Sequence, residues 1–252
     1  MDGVIAWLGG TLIQWAASTA VGLPFVAVAV RSARRRGGDV RLRSFARLAA
    51  FFFVSLALTR LGPFWTFIKS PWQAMVLEAA YALAFILATR SASRAGLTLR
   101  ISPEAWRLSL IVTGLMLLFV LIRSQFIRFL GVGSADTTPV VLEYVVYQLT
   151  MPGIAEELSY RGVIQPGLNA SLGRRWEILG AQVGWGWVIT SVVFWGTHAF
   201  RVDPPMHLSF YWPTLTIQLI AGFVFGWVRE RTDSVFPPML THNLVNVCWT
   251  LM

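Results

Sequence analysis

Two adjacent carboxylates, Glu156 and Glu157, and a guanidinium, Arg161, stand in the otherwise apolar stretch TMPGIAEELSYRGVIQPGLN at residues 150–169. Ionisable groups are costly in such surroundings, and within a membrane a cluster facing the bundle interior marks a functional site. Residues four apart share a helix face, so Glu157 and Arg161 can pair, whereas Glu156 is rotated by about 100° onto a neighbouring face. This predicts a division of labour, with Glu157 and Arg161 as a structural ion pair and Glu156 as the carboxylate left for chemistry. The competing reading makes all three one structural network. Gly162 beside them is expected to allow a neighbouring helix to approach.

Two later segments carry matching groups. FWGTHAF places Phe194 and His198 four apart on one face. If a tight turn near Arg174 to Ile178 joins two antiparallel helices, Glu156 and His198 lie at similar distances from it and reach similar depth at roughly 1.5 Å per residue. THNLVN places His242 and Asn246 four apart, an imidazole and an amide that can both donate to an oxyanion or bind a metal or water. Together these groups fit hydrolysis: Glu156 with His198 activates water, and His242 with Asn246 stabilises the oxyanion formed at an amide carbonyl. The same groups can instead hold zinc through Glu156, His198 and His242, leaving a fourth position for water. No HExxH helix supports that metal, and no GxSxG elbow supports a serine nucleophile. Cys248 lies off the face of His242 and reads as a small apolar helix residue, and His207, in DPPMH, reads as an ordinary loop residue.

The elements that position these residues are membrane spans. The chain is 56% hydrophobic and 13% charged, with mean hydropathy +0.61, against about 25% charged for a soluble domain. The net charge of +9 is nearly all arginine at the edges of apolar runs, including seven between Arg31 and Arg47. It reads as a topology signal and not as a nucleic-acid surface. The fold class expected is all-α, a polytopic helical bundle of about eight spans in a single integral membrane domain over 1–252. The first span is the uncharged run Val4–Val30, and others follow at about 48–68 with Arg60, 72–89 and 108–122. Next comes one long helix from Pro139 to Arg174, irregular near Pro152 and Pro166, and then spans at 178–200, 212–228 and 235–252. A link with Lys69 and Pro71 and the loop GVGSADTT break the pattern, and Arg229 to Asp233 form a short loop. The basic loops at 31–47 and 90–107 share one side, cytoplasmic by the positive-inside rule.

Glu156-Glu157-x-x-x-Arg161, Phe194-x-x-x-His198 and His242-x-x-x-Asn246, in that order on successive apolar segments, resemble the three motifs of the CPBP intramembrane protease family, which includes type II CaaX prenyl endopeptidases and bacterial Abi proteins. The resemblance covers about 140–252, while 1–139 matches only in being hydrophobic. It implies a helical (metallo)protease cutting peptide bonds from a cavity within the membrane. In it Glu156 and His198 activate water, His242 and Asn246 form the oxyanion site, and Glu157, Arg161 and Phe194 support them. The family is commonly called a metalloprotease, so zinc is the cofactor expected if one is used. Twenty arginines against one lysine suggest a GC-rich bacterial genome. The implied setting is then a bacterial inner membrane, with a membrane-associated peptide or protein tail as partner, such as a bacteriocin precursor or a sorting signal, and not nucleic acid. The alternative is a non-catalytic immunity or binding protein using the same cavity. A small-molecule transporter would show inverted repeats, and none is visible.

Overall fold

The computed structural model describes residues 2–38, 40–60, 72–130, 141–203, 206–212 and 214–252. The link with Lys69 and Pro71, the GVGSADTT loop, Pro139, Pro204 and Pro205 lie outside them. The amino-terminal part supplies α1 (Asp2–Ala20), α2 (Leu23–Arg34), α3 (Leu42–Thr59), α4 (Trp72–Ala88), the short α5 (Ala92–Ala95) and α6 (Pro103–Phe129). The remainder supplies α7 (Leu142–Glu157), a π-helical stretch Leu158–Ile164, α8 (Gln165–Leu172), a hairpin β1 (Arg174–Ile178) and β2 (Ala181–Gly184), α9 (Trp185–Ala199), a second hairpin β3 (Phe200–Asp203) and β4 (His207–Phe210), α10 (Thr214–Thr232) and α11 (Phe236–Thr250).

Two helices show the polarity of a membrane protein turned outward. On α1, Thr11, Gln14 and Ser18 are buried while Val4, Ile5, Leu8 and Leu12 are exposed. On α6, Ser109, Thr113 and Ser124 face inward and Leu110, Ile111, Leu115, Leu118 and Ile122 face out. Water would reverse this arrangement and a bilayer stabilises it. The inward hydroxyls are satisfied locally or across helices: Thr113 donates to Ser109 O at 2.8 Å and meets the Thr241 hydroxyl at 2.8 Å. The chain is an integral membrane protein, mainly helical.

By length and composition, α3 and α6 can each cross a bilayer, as can α1 and α2 if that pair, bent by 50°, is one span. The described helices therefore support two or three spans and not about eight. The physical reasons are length and charge: α9 and α11 have 15 residues each and α4 has 17, short of the roughly 20 a perpendicular crossing needs, and the 19 residues of α10 include Arg229, Glu230 and Arg231. The predicted single span Val4–Val30 is broken at Val21 and Gly22, because Pro24 sits in the first turn of α2, where its missing N–H is tolerated.

Three further expectations are corrected. The long helix through 142–172 is continuous, and its irregularity is at 158–164, near Pro166 as expected but not near Pro152, with the Gln165 N–H reaching Tyr160 O. This wide turn immediately precedes Pro166, whose ring would otherwise meet the carbonyl four residues back. In place of a tight helix-helix turn at 174–178 there is the β1–β2 hairpin, turning through Leu179 and Gly180 at φ +49° and +75°, the two-residue geometry that suits glycine. And α10 runs on to Thr232, so Arg229 and Glu230 are buried helix residues and not a loop. Glu230 accepts from Gln165 and Asn169 at 2.6 Å each and pairs with Arg174 at 2.9 Å, tying α8 and β1 to α10.

Packing joins the two parts of the chain. Phe51, Phe52, Ile86 and Met116 share one apolar core with Leu158, Val163, Phe194 and Phe225. Helices α7 and α11 approach closely: a Cβ on Gly153 would lie 2.5 Å from Asn243 Oδ1 and from Met239 O. Gly162, the glycine expected to do this, would meet Ile86 Cδ1 at 3.5 Å and Glu157 O and Val235 Cγ1 at 3.8 Å, ordinary contacts.

Candidate active site

The turn of helix at Glu156 and Glu157 sends its two carboxylates to different places, as their rotation predicts. Glu157 is fully buried, and Oε1 accepts from Arg161 Nη1 at 3.1 Å. Arg161 is equally buried. It donates from Nη2 to the Gly222 carbonyl at 3.0 Å, and its guanidinium lies over the Phe194 ring, 4.5 Å from the centroid. An arginine taken wholly out of water is tolerable only when paired and hydrogen-bonded in this way.

Glu156 lies instead on the wall of a cavity of about 200 Å³ that His198, Glu78, Ser55, Tyr160 and Thr197 also line. Its Oε2 stands 3.9 Å from His198 Nε2 and has no hydrogen-bond partner among the described residues. The imidazole is oriented from behind: Nδ1 lies 2.9 Å from the Phe194 carbonyl. A carbonyl can only accept, so Nδ1 carries the hydrogen and the Nε2 lone pair faces Glu156. Two acceptors at this separation suit one water that donates to both. The expected meeting of Glu156 and His198 is therefore present, although a hairpin and not a turn brings it about.

His242 and Asn246 project from one face of α11. His242 is buried, and its Nδ1 lies 2.9 Å from Glu157 Oε1, the oxygen that Arg161 also holds. Nδ1–H is thus the donor to the carboxylate and Nε2 is the ring atom left for other work. Asn246 is half-buried and makes no hydrogen bond among the described residues. Neither lines the Glu156 cavity. The two imidazoles are linked through Phe194, whose ring centroid lies 4.7 Å from that of His198 and 5.9 Å from that of His242. Phe194 is the common support, touching Arg161, both histidines and Tyr160.

Glu156, His198 and His242 do not fit together as a three-ligand zinc set. Among the described residues no three His, Cys, Asp or Glu groups stand close enough to hold a metal. His207 begins β4 opposite Asp203 and is exposed, away from the cavity. Cys248 is a free, half-buried thiol on α11.

Sequence reasoning missed four contributors. Asn243 Oδ1 accepts from the Gly153 N–H at 2.7 Å, and Nδ2 donates to the Thr150 carbonyl at 3.1 Å, pinning α11 to the turn before Glu156. The preceding Pro152 supplies no donor, and the signal was there in Gly153 and Asn243 as a small residue facing an amide. Glu78 on α4 is buried and takes the Ser55 hydroxyl at 2.7 Å, and Arg60 and Gln14 line the same cavity. A glutamate amid alanines in an apolar helix was the available signal for Glu78.

No curated protein and no solved structure matches the chain significantly. A family model does: residues 138–248, which hold every member of the Glu, His and Asn constellation, match the model for the type II CAAX prenyl endopeptidases, Rce1-like.

Proposed function

We propose that the chain is an intramembrane endopeptidase that hydrolyses a peptide bond in a membrane-associated peptide or protein tail. The observation that carries this reading is the pair formed by Glu156 and His198, a carboxylate and an imidazole lone pair 3.9 Å apart on a cavity wall. A water held between them attacks the scissile carbonyl carbon, and its proton passes to the pair. The carbonyl oxygen becomes an oxyanion. The same proton then goes to the nitrogen as the oxyanion collapses and the C–N bond breaks, giving a carboxylic acid and an amine. Glu157 and Arg161 hold the framework.

For the oxyanion we assign His242 and Asn246. The support is their unused capacity: the Asn246 amide makes no hydrogen bond among the described residues, and His242, with Nδ1 on Glu157, can donate from Nε2 in its imidazolium form. Water activation by the pair needs no metal. The cavity is walled by the ends of α3 and α9 remote from the arginines of 31–47, 90–107 and 174–175. By the positive-inside rule it opens on the extracytoplasmic side, in a bacterial plasma membrane. A Thr59→Cys variant lacking Cys248 should react with an impermeant thiol reagent on intact cells; labelling only after lysis sinks that orientation.

The reading is tested by comparing membrane and secreted peptides from cells carrying the wild-type chain with those carrying Glu156→Ala or His198→Ala. Both variants should insert normally and accumulate an unprocessed precursor. Normal processing by both defeats the hydrolytic reading. If a host phenotype survives without processing, a binding protein that uses the same cavity is the better description.

A further inference from the structure

We propose that Arg60, held by Gln14 at the outer end of the Glu156 cavity, is a carboxylate-binding subsite that selects the substrate, reading either a free peptide carboxy terminus or an acidic side chain. The proposal rests on the hydrolytic reading for what enters the cavity and on the following geometry for what Arg60 does there.

Arg60 caps α3 and lines the cavity with Glu156 and His198. Nη1 donates to Gln14 Oε1 at 2.5 Å and Nη2 to the Val202 carbonyl at 3.2 Å. Gln14 in turn donates to the carbonyls of Thr197 at 3.1 Å and Phe200 at 3.0 Å, on either side of His198. The guanidinium is thereby held in register with the end of α9 that carries the imidazole.

Both of its acceptors are neutral. Four other arginines inside the fold pair with carboxylates: Arg161 with Glu157, Arg174 with Glu230, Arg229 with Asp233 and Arg231 with Glu104. Arg60 has none within ion-pair distance among the described residues. Nearby Asp203 turns Oδ2 to the Ser209 hydroxyl at 3.1 Å, Glu78 takes the Ser55 hydroxyl, and Glu156 faces His198. Among the described residues two of the five guanidinium N–H groups are used, which leaves Nε–H and one N–H on each Nη to meet a carboxylate. A cation that faces a cavity, fixed on two sides by neutral acceptors and with Asp203 acting on it only from beyond ion-pair distance, is a receptor for an anion from outside the chain, and the peptide that enters the cavity brings it.

The test uses a fluorescent apolar peptide anchored in the bilayer by an amino-terminal palmitoyl chain, in three forms: free acid, carboxy-terminal amide, and amide with one internal Asp. Equilibrium binding is measured to the full chain in neutral phosphatidylcholine nanodiscs, with Glu156→Gln to prevent turnover. The free acid, the Asp-bearing amide or both should bind about tenfold tighter than the plain amide, as a charge-assisted hydrogen-bond pair implies. Which of the two gains names the source of the carboxylate. Arg60→Gln should remove the advantage, and Arg60→Lys should keep part of it. Equal affinity for the three peptides, binding by none of them, or an advantage that survives Arg60→Gln overturns the proposal. The comparison of peptides needs no change at Arg60, so a poorly folding variant cannot hide the outcome. If discrimination is found while the wild-type chain leaves every form uncut, the hydrolytic reading fails and the subsite stands.

Discussion

Glu156 and Glu157 are neighbours in sequence, and their isosteric amides should fail in opposite ways. Glu157→Gln keeps the shape but removes the charge that faces Arg161 at 3.1 Å and His242 at 2.9 Å, all three side chains being nearly or wholly buried. What remains is a guanidinium with no exposed surface, held by the Gly222 carbonyl and aromatic faces alone. Removing one partner of a buried pair costs about 3–5 kcal/mol, and at about 2–4 °C per kcal/mol for a chain of this size the melting temperature should fall by about 6–20 °C. Glu156→Gln disturbs only a 3.9 Å contact with His198 on a cavity wall, so its stability should stay within about 1 kcal/mol of wild type while processing is lost. Unfolding of purified protein, followed through its twelve tryptophans, measures both. Arg161→Met added to Glu157→Gln should recover part of the loss, because no uncompensated cation is left. The assignment of scaffold and working carboxylate is refuted if Glu156→Gln unfolds as early as Glu157→Gln, or if Glu157→Gln melts like wild type.

The two glycines of the same helix should separate in the same assay. Gly153→Ala places a methyl 2.5 Å from Asn243 Oδ1 and Met239 O and should cost about 1–3 kcal/mol, whereas Gly162→Ala, with 3.5 Å to Ile86, should be neutral within about 1 kcal/mol. Asn243→Ala strands the Gly153 N–H and the Thr150 carbonyl, and should cost about 1–3 kcal/mol for a buried donor left unpaired; Asn243→Asp, which keeps the acceptor for Gly153, should cost less. Elemental analysis of purified wild type and His242→Ala should show no zinc that depends on His242; a stoichiometric metal lost in the variant would refute the two-group site and restore the three-ligand one.

What could be read from the sequence was whatever periodicity and expense encode. The i,i+4 spacing of Glu157 and Arg161 placed them on one face, and they pair. The equal chain distances of Glu156 and His198 brought them together. Other features depended on contacts that no local pattern carries. A hydrophobic run such as Val4–Val30 looks the same whether or not it bends, and only Pro24 marks the break. The π-helical turn at 158–164 is a response to Pro166 and to packing on both sides. His242 was read for what its imidazole can donate, but its Nδ1 partner, Glu157, lies 85 residues away and was itself already assigned to Arg161.

The division of the cavity wall follows from the same physics. The family match begins at residue 138, and within it lie the groups proposed to act on a peptide bond. Gln14, Ser55, Arg60, Met75 and Glu78 precede it, yet they line the same cavity. Chemistry on an amide needs a fixed base and fixed donors whatever the peptide, so those groups sit on α7, α9 and α11, which the buried network of Glu157, Arg161 and His242 locks together. Discrimination among peptides needs groups that touch the rest of the ligand, and α1, α3 and α4 supply them. Changes in that first part of the chain should therefore alter which tail is bound and leave the hydrolytic step intact, whereas changes to the buried network should alter both at once.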